Sequence, residues 1–465
     1  MGGPGAAPPV PVPAAFLAGA RAAVGEAQVL VDPDVTAGYA TDWTRRWQGT
    51  TPAVVRPGST AEVAEVVELA RRHRVALVPQ GGNTGLVGGG VPRRGEVVVS
   101  LGRIAALDPV DRAAGQVTAG AGVTLAALQA HAAGAGLAFG VDLGSRDTAT
   151  IGGMVATNAG GIHVVRYGAM RAQVVGVEAV LGTGATVSRL AGLVKDNTGY
   201  DLAQLLCGSE GTLGIVTAAR LRLVAPPRAV VTALVAARDV AAVVDLAAAL
   251  RHDLPGVRAL ELMTGPGLAV VAGFLGTRPP VAPGAGAYLL VEVGGADDPL
   301  PALAAAIEAA PGGAVLDAAV ATERAERARL WRWREAHSEA GAPLGVVHKL
   351  DVTLPAGALA DFCRAVVEAV GAARPGSTTL LFGHVGDGNV HVNVVGPPAD
   401  DEEVDDLVLG LVVERGGSIS AEHGIGTLKA RWLDRDRSAG EVAAMRAVKG
   451  ALDPDGILNP GVLFG

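Results

Sequence analysis

At 465 residues the chain has room for two or three domains, and an apolar content of 49% supplies sizeable cores. A net charge of −8, an aromatic content of 3% and the lack of a long basic run exclude a nucleic-acid partner. No stretch of 18 or more purely apolar residues is present to span a membrane, and Cys207 and Cys363 have neither metal-ligand nor redox spacing, so the chain reads as a soluble, cytoplasmic protein.

Residues 1–13, rich in Pro, Gly and Ala, read as a flexible tail rather than a signal peptide. A short helix is expected at 15–24 and a polar entry segment with two tryptophans at 41–48. A strand at 54–56 leads to Ser59, which stands three residues before Glu62 at the spacing of a capping box, so a helix is expected over 61–72. A short apolar strand, 75–78, then feeds the loop Pro79-Gln80-Gly81-Gly82-Asn83-Thr84-Gly85-Leu86 and its continuation to Gly90.

Six glycines in the twelve residues 79–90 cost backbone entropy, which suggests that something must approach the main chain closely. Successive exposed N–H groups suit an anion, most often a phosphate. The loop matches neither the dinucleotide fingerprint nor the Walker loop. A bare Gly-rich turn without a ligand is the competing reading.

Further strands are expected at 97–100, 116–119 and 174–181, with a helix at 125–133. A second Gly-rich region spans 142–161. Its small residues, Gly153, Gly160 and Gly161 among them, leave one surface without bulk for a flat ligand, and Thr150, Thr157 and Asn158 offer hydrogen bonds; tight helix packing explains the same pattern. A third region runs from 196 to 202 and into 208–215, which holds Glu210, Gly211 and Ile215. Three such regions within about 140 residues favour one extended dinucleotide site. Strand-like runs follow at 215–217 and 219–224, and Pro226-Pro227 marks a domain boundary. Residues 229–311 read as scaffold with few reactive side chains. A long charged helix at 322–341, an alternating strand at 346–354, two strands around a Gly-Asp-Gly-Asn turn at 380–395, and a helix-and-turn C-terminus complete the chain. No internal repeat is evident.

His384 and His391 flank that turn, and Asn393 shares the strand face of His391. Glu422 could add a carboxylate, and two His plus one carboxylate with open coordination suits Zn²⁺ or a similar divalent ion. His423, beside it in a Gly-bounded loop, is placed to act as a base. Purely structural histidines remain the alternative. Arg334 and Ser338, four apart on the charged helix, share a face. Arg334 and Lys349, the latter on the next strand, could clamp a carboxylate, whereas a solvated helix is the default reading of 324–334. Lys349, Asp351 and Thr353 alternate against apolar neighbours. His73, His131 and His348 read as structural or exposed, and His163 has no assigned role.

Taken together, Pro-Gln-Gly-Gly-Asn-Thr-Gly at 79–85, Ile-Gly-Gly…Ala-Thr-Asn-Ala-Gly-Gly at 151–161, Gly-Ser-Glu-Gly-Thr-Leu-Gly-Ile at 208–215, Gly-His-Val-Gly-Asp-Gly-Asn-Val-His-Val-Asn at 383–393 and Ala-Glu-His-Gly-Ile-Gly at 421–426 resemble the vanillyl-alcohol oxidase/p-cresol methylhydroxylase flavoproteins, in their D-2-hydroxyacid dehydrogenase branch. The likeness runs from about residue 51 to the C-terminus. It implies an α+β fold: an N-terminal tail and entry helix (1–50), a two-subdomain FAD-binding domain of the p-cresol methylhydroxylase type (51–227), a substrate or cap domain with an antiparallel sheet flanked by helices (228–418), and a C-terminal segment returning to the FAD domain (419–465). It also implies FAD held by the loop residues named above, by Asp142, Leu143, Gly144 and the second and third Gly-rich regions, and by Asn459. The loop has no His or Cys to tether the flavin, so non-covalent FAD is expected.

The implied reaction is oxidation of a D-2-hydroxy acid, D-2-hydroxyglutarate or a relative, with D-lactate or glycolate as alternatives. In this reading Arg334, Ser338, Lys349 and Asn393 hold the substrate; Ser338 keeps the hydroxyl of the family's Thr and loses its methyl. His384, His391 and Glu422 hold a divalent metal, zinc by preference, and His423 accepts the proton. The electron acceptor, an electron-transfer flavoprotein, a quinone or another, stays open, and a homodimer is compatible. A metal-dependent hydrolase and a non-catalytic flavoprotein are the readings from other classes.

Overall fold

The computed structural model describes residues 12–464, so most of the expected N-terminal tail, through residue 11, lies outside the described residues. The chain divides into two compact units. The first comprises residues 1–161, 168–226 and 422–465, and the second residues 162–167 and 227–421.

The first unit holds two four-stranded sheets. One runs in the order Val29–Leu30, Val54–Val55, Val97–Ser100, Leu77–Gln80, with the last three strands parallel. The helix Thr60–His73 covers it, burying Val63, Val66, Val67 and Ala70, one face at helical spacing. Each buried valine contributes on the order of 1.5 kcal/mol or more. Ser59 caps that helix by accepting from the Glu62 N–H at 3.2 Å, while the Glu62 carboxylate accepts from the N–H of Gly58, at 2.7 Å, one residue earlier than a regular capping box. The strand expected at 75–78 is displaced by two residues. Parallel pairing with Val97–Ser100, as far as Gln80 opposite Ser100, draws Pro79 and Gln80 into the sheet, so the Gly-rich loop leaves directly from a strand end.

The other sheet is antiparallel, in the order Gln116–Gly120, Gly214–Arg222, Val174–Leu181, Thr186–Ser188. The two runs expected at 215–217 and 219–224 are one strand, interrupted only by a bulge where Ala218 pairs Glu178 and Val216 pairs Ala179. The extra residue, Thr217, directs its hydroxyl to the Glu178 carbonyl.

The second unit is built on a seven-stranded antiparallel sheet, in the order Val315–Ala321, Ala229–Ala237, Ala287–Gly295, Val257–Thr264, Thr378–Gly383, Asn389–Val395, Val347–Thr353. Its centre is narrow. Val257–Thr264 and Thr378–Gly383 pair only through Leu262 opposite Gly383 and Met263 opposite Phe382. The long helix expected over 322–341 is two helices, Arg324–Glu335 and His337–Ala340, meeting at Ala336. At the junction the His337 imidazole donates through Nδ1 to the Trp333 carbonyl at 2.9 Å. No helix among the described residues is long and apolar enough to cross a membrane.

Candidate functional site

In the first unit the loop after Gln80 is held by its own side chains and by the entry segment. Gln80 donates to the carbonyls of Tyr39 and Gly90, both at 2.8 Å, and Asn83 donates to Thr41 at 2.9 Å. The Trp43 and Trp47 indoles donate to the carbonyls of Thr84 (3.1 Å) and Leu86 (3.4 Å). Asn83 takes the left-handed conformation (φ 52°), which bends the chain and turns successive amides to one side. Among the described residues, the backbone N–H groups of 81–86 donate to no protein acceptor. A run of amides left so, on a loop whose side chains and carbonyls are anchored, is the chemistry an oxyanion needs.

The glycines fall into two kinds. A Cβ on Gly81 would stand 2.2 Å from Thr150 Oγ1, and one on Gly82 would stand 1.9 Å from the Thr148 carbonyl oxygen; the chain's own packing excludes both. Among the described residues, a Cβ on Gly85 or Gly144 would meet nothing within 4 Å. Both are exposed, so packing within the chain does not account for them. Thr150 adds a buried hydroxyl with no hydrogen-bond partner among the described residues, although it precedes the helix Ile151–Thr157 at the capping position. An orphaned hydroxyl and bare amides fit a bound polar ligand of nucleotide type.

Other residues placed with the cofactor by motif have protein partners. The Asp142 carboxylate takes a two-pronged contact from Arg146 (2.8 and 2.9 Å) and a bond from Gln129. Its carbonyl lies where a Cβ on Gly161 would strike at 2.1 Å. A Cβ on Gly152 would meet Ala121 at 2.6 Å, the helix-packing reading of that residue. Thr157 donates to the Gly153 carbonyl, and Asn158 ends the helix at φ 50°, its side-chain oxygen accepting from the Arg171 N–H. Leu143 lies against Gly161, and Gly160 is buried.

Glu210, left-handed at φ 52°, receives the Ile425 and Gly426 N–H groups, one on each carboxylate oxygen, both at 2.8 Å. Burial raises its pKa against those two bonds. Gly211 (φ 71°) packs on Pro79, and Asn459 ties the carbonyls of Gly89 and Glu210 together. The side chain of Ile215 is buried in the hydrophobic core, within the strand Gly214–Arg222 and opposite Val180. The Glu210 clasp thus fixes the segment that carries Glu422 and His423, whose side chains approach one another at 3.8 Å.

In the second unit one face of the sheet carries the polar residues. Met263, Phe382, His391 and Asp351 stand opposite one another across four strands, and Leu380, Asn393 and Lys349 form the next row. His384 follows the strand Thr378–Gly383, and its ring centroid lies 5.6 Å from that of His391. Asp351, fully buried, is 3.5 Å from His391 and accepts from Asn389 (2.7 Å) and from the Ala421 N–H (3.1 Å). Glu422 is the next residue in the chain. On the opposite face His348 pairs with Asp405 and the Pro398 carbonyl, a structural role.

Residues 229–311, read as inert scaffold, contribute a buried carboxylate to this face. Glu261, fully buried in Val257–Thr264, accepts from Arg334 Nε at 2.7 Å and pairs with His384 Nδ1 at 2.7 Å. The only signal for it in sequence is an acid flanked by Leu260 and Leu262. Arg334 is buried, stacks over Phe382 (4.9 Å), and has no partner for its terminal nitrogens among the described residues. Ser338 does not share its face as expected. The helix breaks at Ala336, which leaves Ser338 exposed, and its carbonyl accepts from Lys349 Nζ at 3.2 Å. A second buried acid, Glu292, meets Trp331 (3.0 Å), Arg258 and His163 (both 3.4 Å), which supplies His163 with a place. Burial pushes the Glu292 carboxyl up, but these partners outweigh it and hold it low.

Two family models match the chain: "FAD binding domain" over residues 51–189 and "FAD linked oxidases, C-terminal domain" over residues 226–463. The chain belongs to the FAD-linked oxidases. A D-2-hydroxyglutarate dehydrogenase of Xanthomonas citri pv. viticola is 40% identical over 439 residues, 92% of each chain. A probable mitochondrial D-2-hydroxyglutarate dehydrogenase of Oryza sativa subsp. japonica is 35% identical, over 95% of this chain and 80% of its own. A D-2-hydroxyglutarate–pyruvate transhydrogenase of Saccharomyces cerevisiae is 33% identical, over 92% and 89%. Among solved structures, p-cresol methylhydroxylase shares the fold with a TM-score of 0.75 at 17% identity, covering 96% of each chain. This FAD-linked oxidase is therefore an FAD-dependent oxidoreductase with the expected fold class, and a hydrolase reading of its histidines lapses.

Proposed function

We propose that the protein oxidises D-2-hydroxyglutarate, or a closely related 2-hydroxy dicarboxylic acid, to the 2-oxo acid. Relatives bearing that activity in their names, matched along most of their length, support the reading. The observation that carries it in this chain is the buried Arg334. Its Nε is committed to Glu261, and its two terminal nitrogens are left for a planar acid group.

The 81–86 amides would hold the flavin pyrophosphate and Thr150 would donate to the same cofactor, without a covalent tether. Bound FAD supplies a two-electron acceptor for the hydride leaving the substrate carbon. His384, His391 and Glu422 would hold a divalent cation, zinc by the donor set, which supplies Lewis acidity toward the substrate hydroxyl. Arg334 and Lys349 bind the carboxylates, with the Asn393 amide as a further hydrogen-bonding group. His423 takes the hydroxyl proton, a role suited to imidazole near neutral pH. Electrons then leave to a second acceptor, a flavoprotein or a quinone. In domain terms, residues 51–227 bind FAD, 228–418 the substrate, and 419–465 complete the FAD domain.

The test is turnover with an artificial electron-accepting dye against D-2-hydroxyglutarate, D-malate, D-lactate and glycolate. The dicarboxylates should be oxidised with the higher kcat/KM. A preference for D-lactate or glycolate would overturn the substrate assignment.

A further inference from the structure

We propose that Glu261 is a positioning residue that sets two parts of the site at once, the Arg334 guanidinium and the His384 imidazole. The inference rests on the reading above, in which Arg334 binds a carboxylate and His384 a cation. Glu261 lies in mid-strand with no solvent exposure, and its two oxygens are divided, Oε2 to Arg334 Nε and Oε1 to His384 Nδ1. The contacts join three elements: the strand Val257–Thr264, the last turn of the helix Arg324–Glu335, and the chain just after Thr378–Gly383. The two strands pair through only two residue pairs at this point, so the side chain adds a tie where His384 leaves the sheet.

A carboxylate on Nδ1–H holds the imidazole in the tautomer whose lone pair is on Nε2, orients the ring and raises its basicity toward a metal. The same carboxylate on Nε fixes the guanidinium plane and leaves the terminal nitrogens to a second acid. Glutamine cannot do both. Its one oxygen can replace only one of the two carboxylate oxygens that serve these separate partners, and its NH₂ must then face either the Arg334 N–H or His384 Nδ1. In the second case it imposes the opposite tautomer, with the proton on Nε2.

The experiment compares Glu261→Gln and Glu261→Asp with the wild-type holoenzyme. The readouts are Zn²⁺ affinity by competition with a chromogenic chelator, KM and kcat for the 2-hydroxy acid, FAD-to-protein ratio, and the unfolding midpoint. For Glu261→Gln the Zn²⁺ dissociation constant should rise about 10- to 100-fold, with KM rising together with it and the FAD ratio unchanged. Glu261→Asp, which retains the charge, should lie between in both. Wild-type values of either quantity in a folded Glu261→Gln protein would overturn the joint role. If Glu261→Gln does not fold, Glu261→Asp carries the test: a parallel rise in both supports the role, and wild-type values in either refute it. A wild-type protein that binds no Zn²⁺ or oxidises no 2-hydroxy acid would overturn the functional reading itself, a separate outcome seen before any variant is compared.

Discussion

His337 should make the protein acid-sensitive well above the range where carboxylates titrate. Its ring is buried, Nδ1 donates to the Trp333 carbonyl, and Nε2 has no partner among the described residues. Burial first, and then the nearby Arg334 charge, push its pKa from 6.5 down to about 3. Between those values the unfolded chain binds a proton that the folded chain refuses, so stability falls as the pH falls and is fully present only above about pH 6.5. At pH 5 the unfolded imidazole is almost wholly protonated and the folded one almost wholly neutral, which costs about 2 kcal/mol relative to pH 7. In a unit of this size that is a drop of roughly 4–8 °C in the unfolding midpoint. Glutamine at 337 removes the titration. Denaturant unfolding at pH 7, 6 and 5 should therefore show His337→Gln losing about 2 kcal/mol less than wild type between pH 7 and 5, even if it starts lower. Parallel losses in the two proteins would refute the reasoning.

Gly82→Ala places a Cβ 1.9 Å from the Thr148 carbonyl oxygen, so the loop must withdraw; stability should drop by about 1–3 kcal/mol and FAD should be lost on gel filtration. Gly85→Ala, whose Cβ meets no atom of the described residues within 4 Å, should keep wild-type stability and still bind FAD more weakly; unchanged FAD affinity would remove that residue from the cradle. Arg334→Ala leaves the fully buried Glu261 without its guanidinium and should cost about 3–5 kcal/mol, with KM rising sharply; near-normal kinetics on every 2-hydroxy acid would contradict the clamp. Burial pushes the thiols of Cys207 and Cys363 up to about 11 and about 12, so an aromatic disulfide reagent at pH 8 should titrate neither until the protein unfolds.

Local signals carried much of this fold into the sequence. Ser59 with Glu62 marked a helix start, the glycines of 81–90 marked a loop built for close approach, and the Gly-Asp-Gly-Asn turn brought together His384, just after one strand, and His391, within the next. What stayed hidden depends on partners distant in the chain. Glu261 is one acid in an apolar strand, and only the pairing with Thr378–Gly383 and the packing of Arg324–Glu335 bring His384 and Arg334 to it. The bulge at Thr217 looked like a break between strands because periodicity cannot register a single extra residue held by a neighbouring strand. The helix over 322–341 has unbroken propensity, and its break at Ala336 coincides with a side-chain bond from His337 that no pattern announces. Thr150 is the counterpart at the cofactor loop. Its type suggested a hydrogen bond, but only the packed structure marks it as a buried hydroxyl lacking a partner among the described residues.

The most direct test is anaerobic mixing of the purified yellow protein with the two enantiomers of 2-hydroxyglutarate while the flavin absorbance is followed. The D enantiomer should bleach the flavin with formation of one 2-oxoglutarate per flavin, and the L enantiomer should leave it oxidised. Flavin that stays oxidised with the D enantiomer, or that bleaches equally with both, would contradict the account.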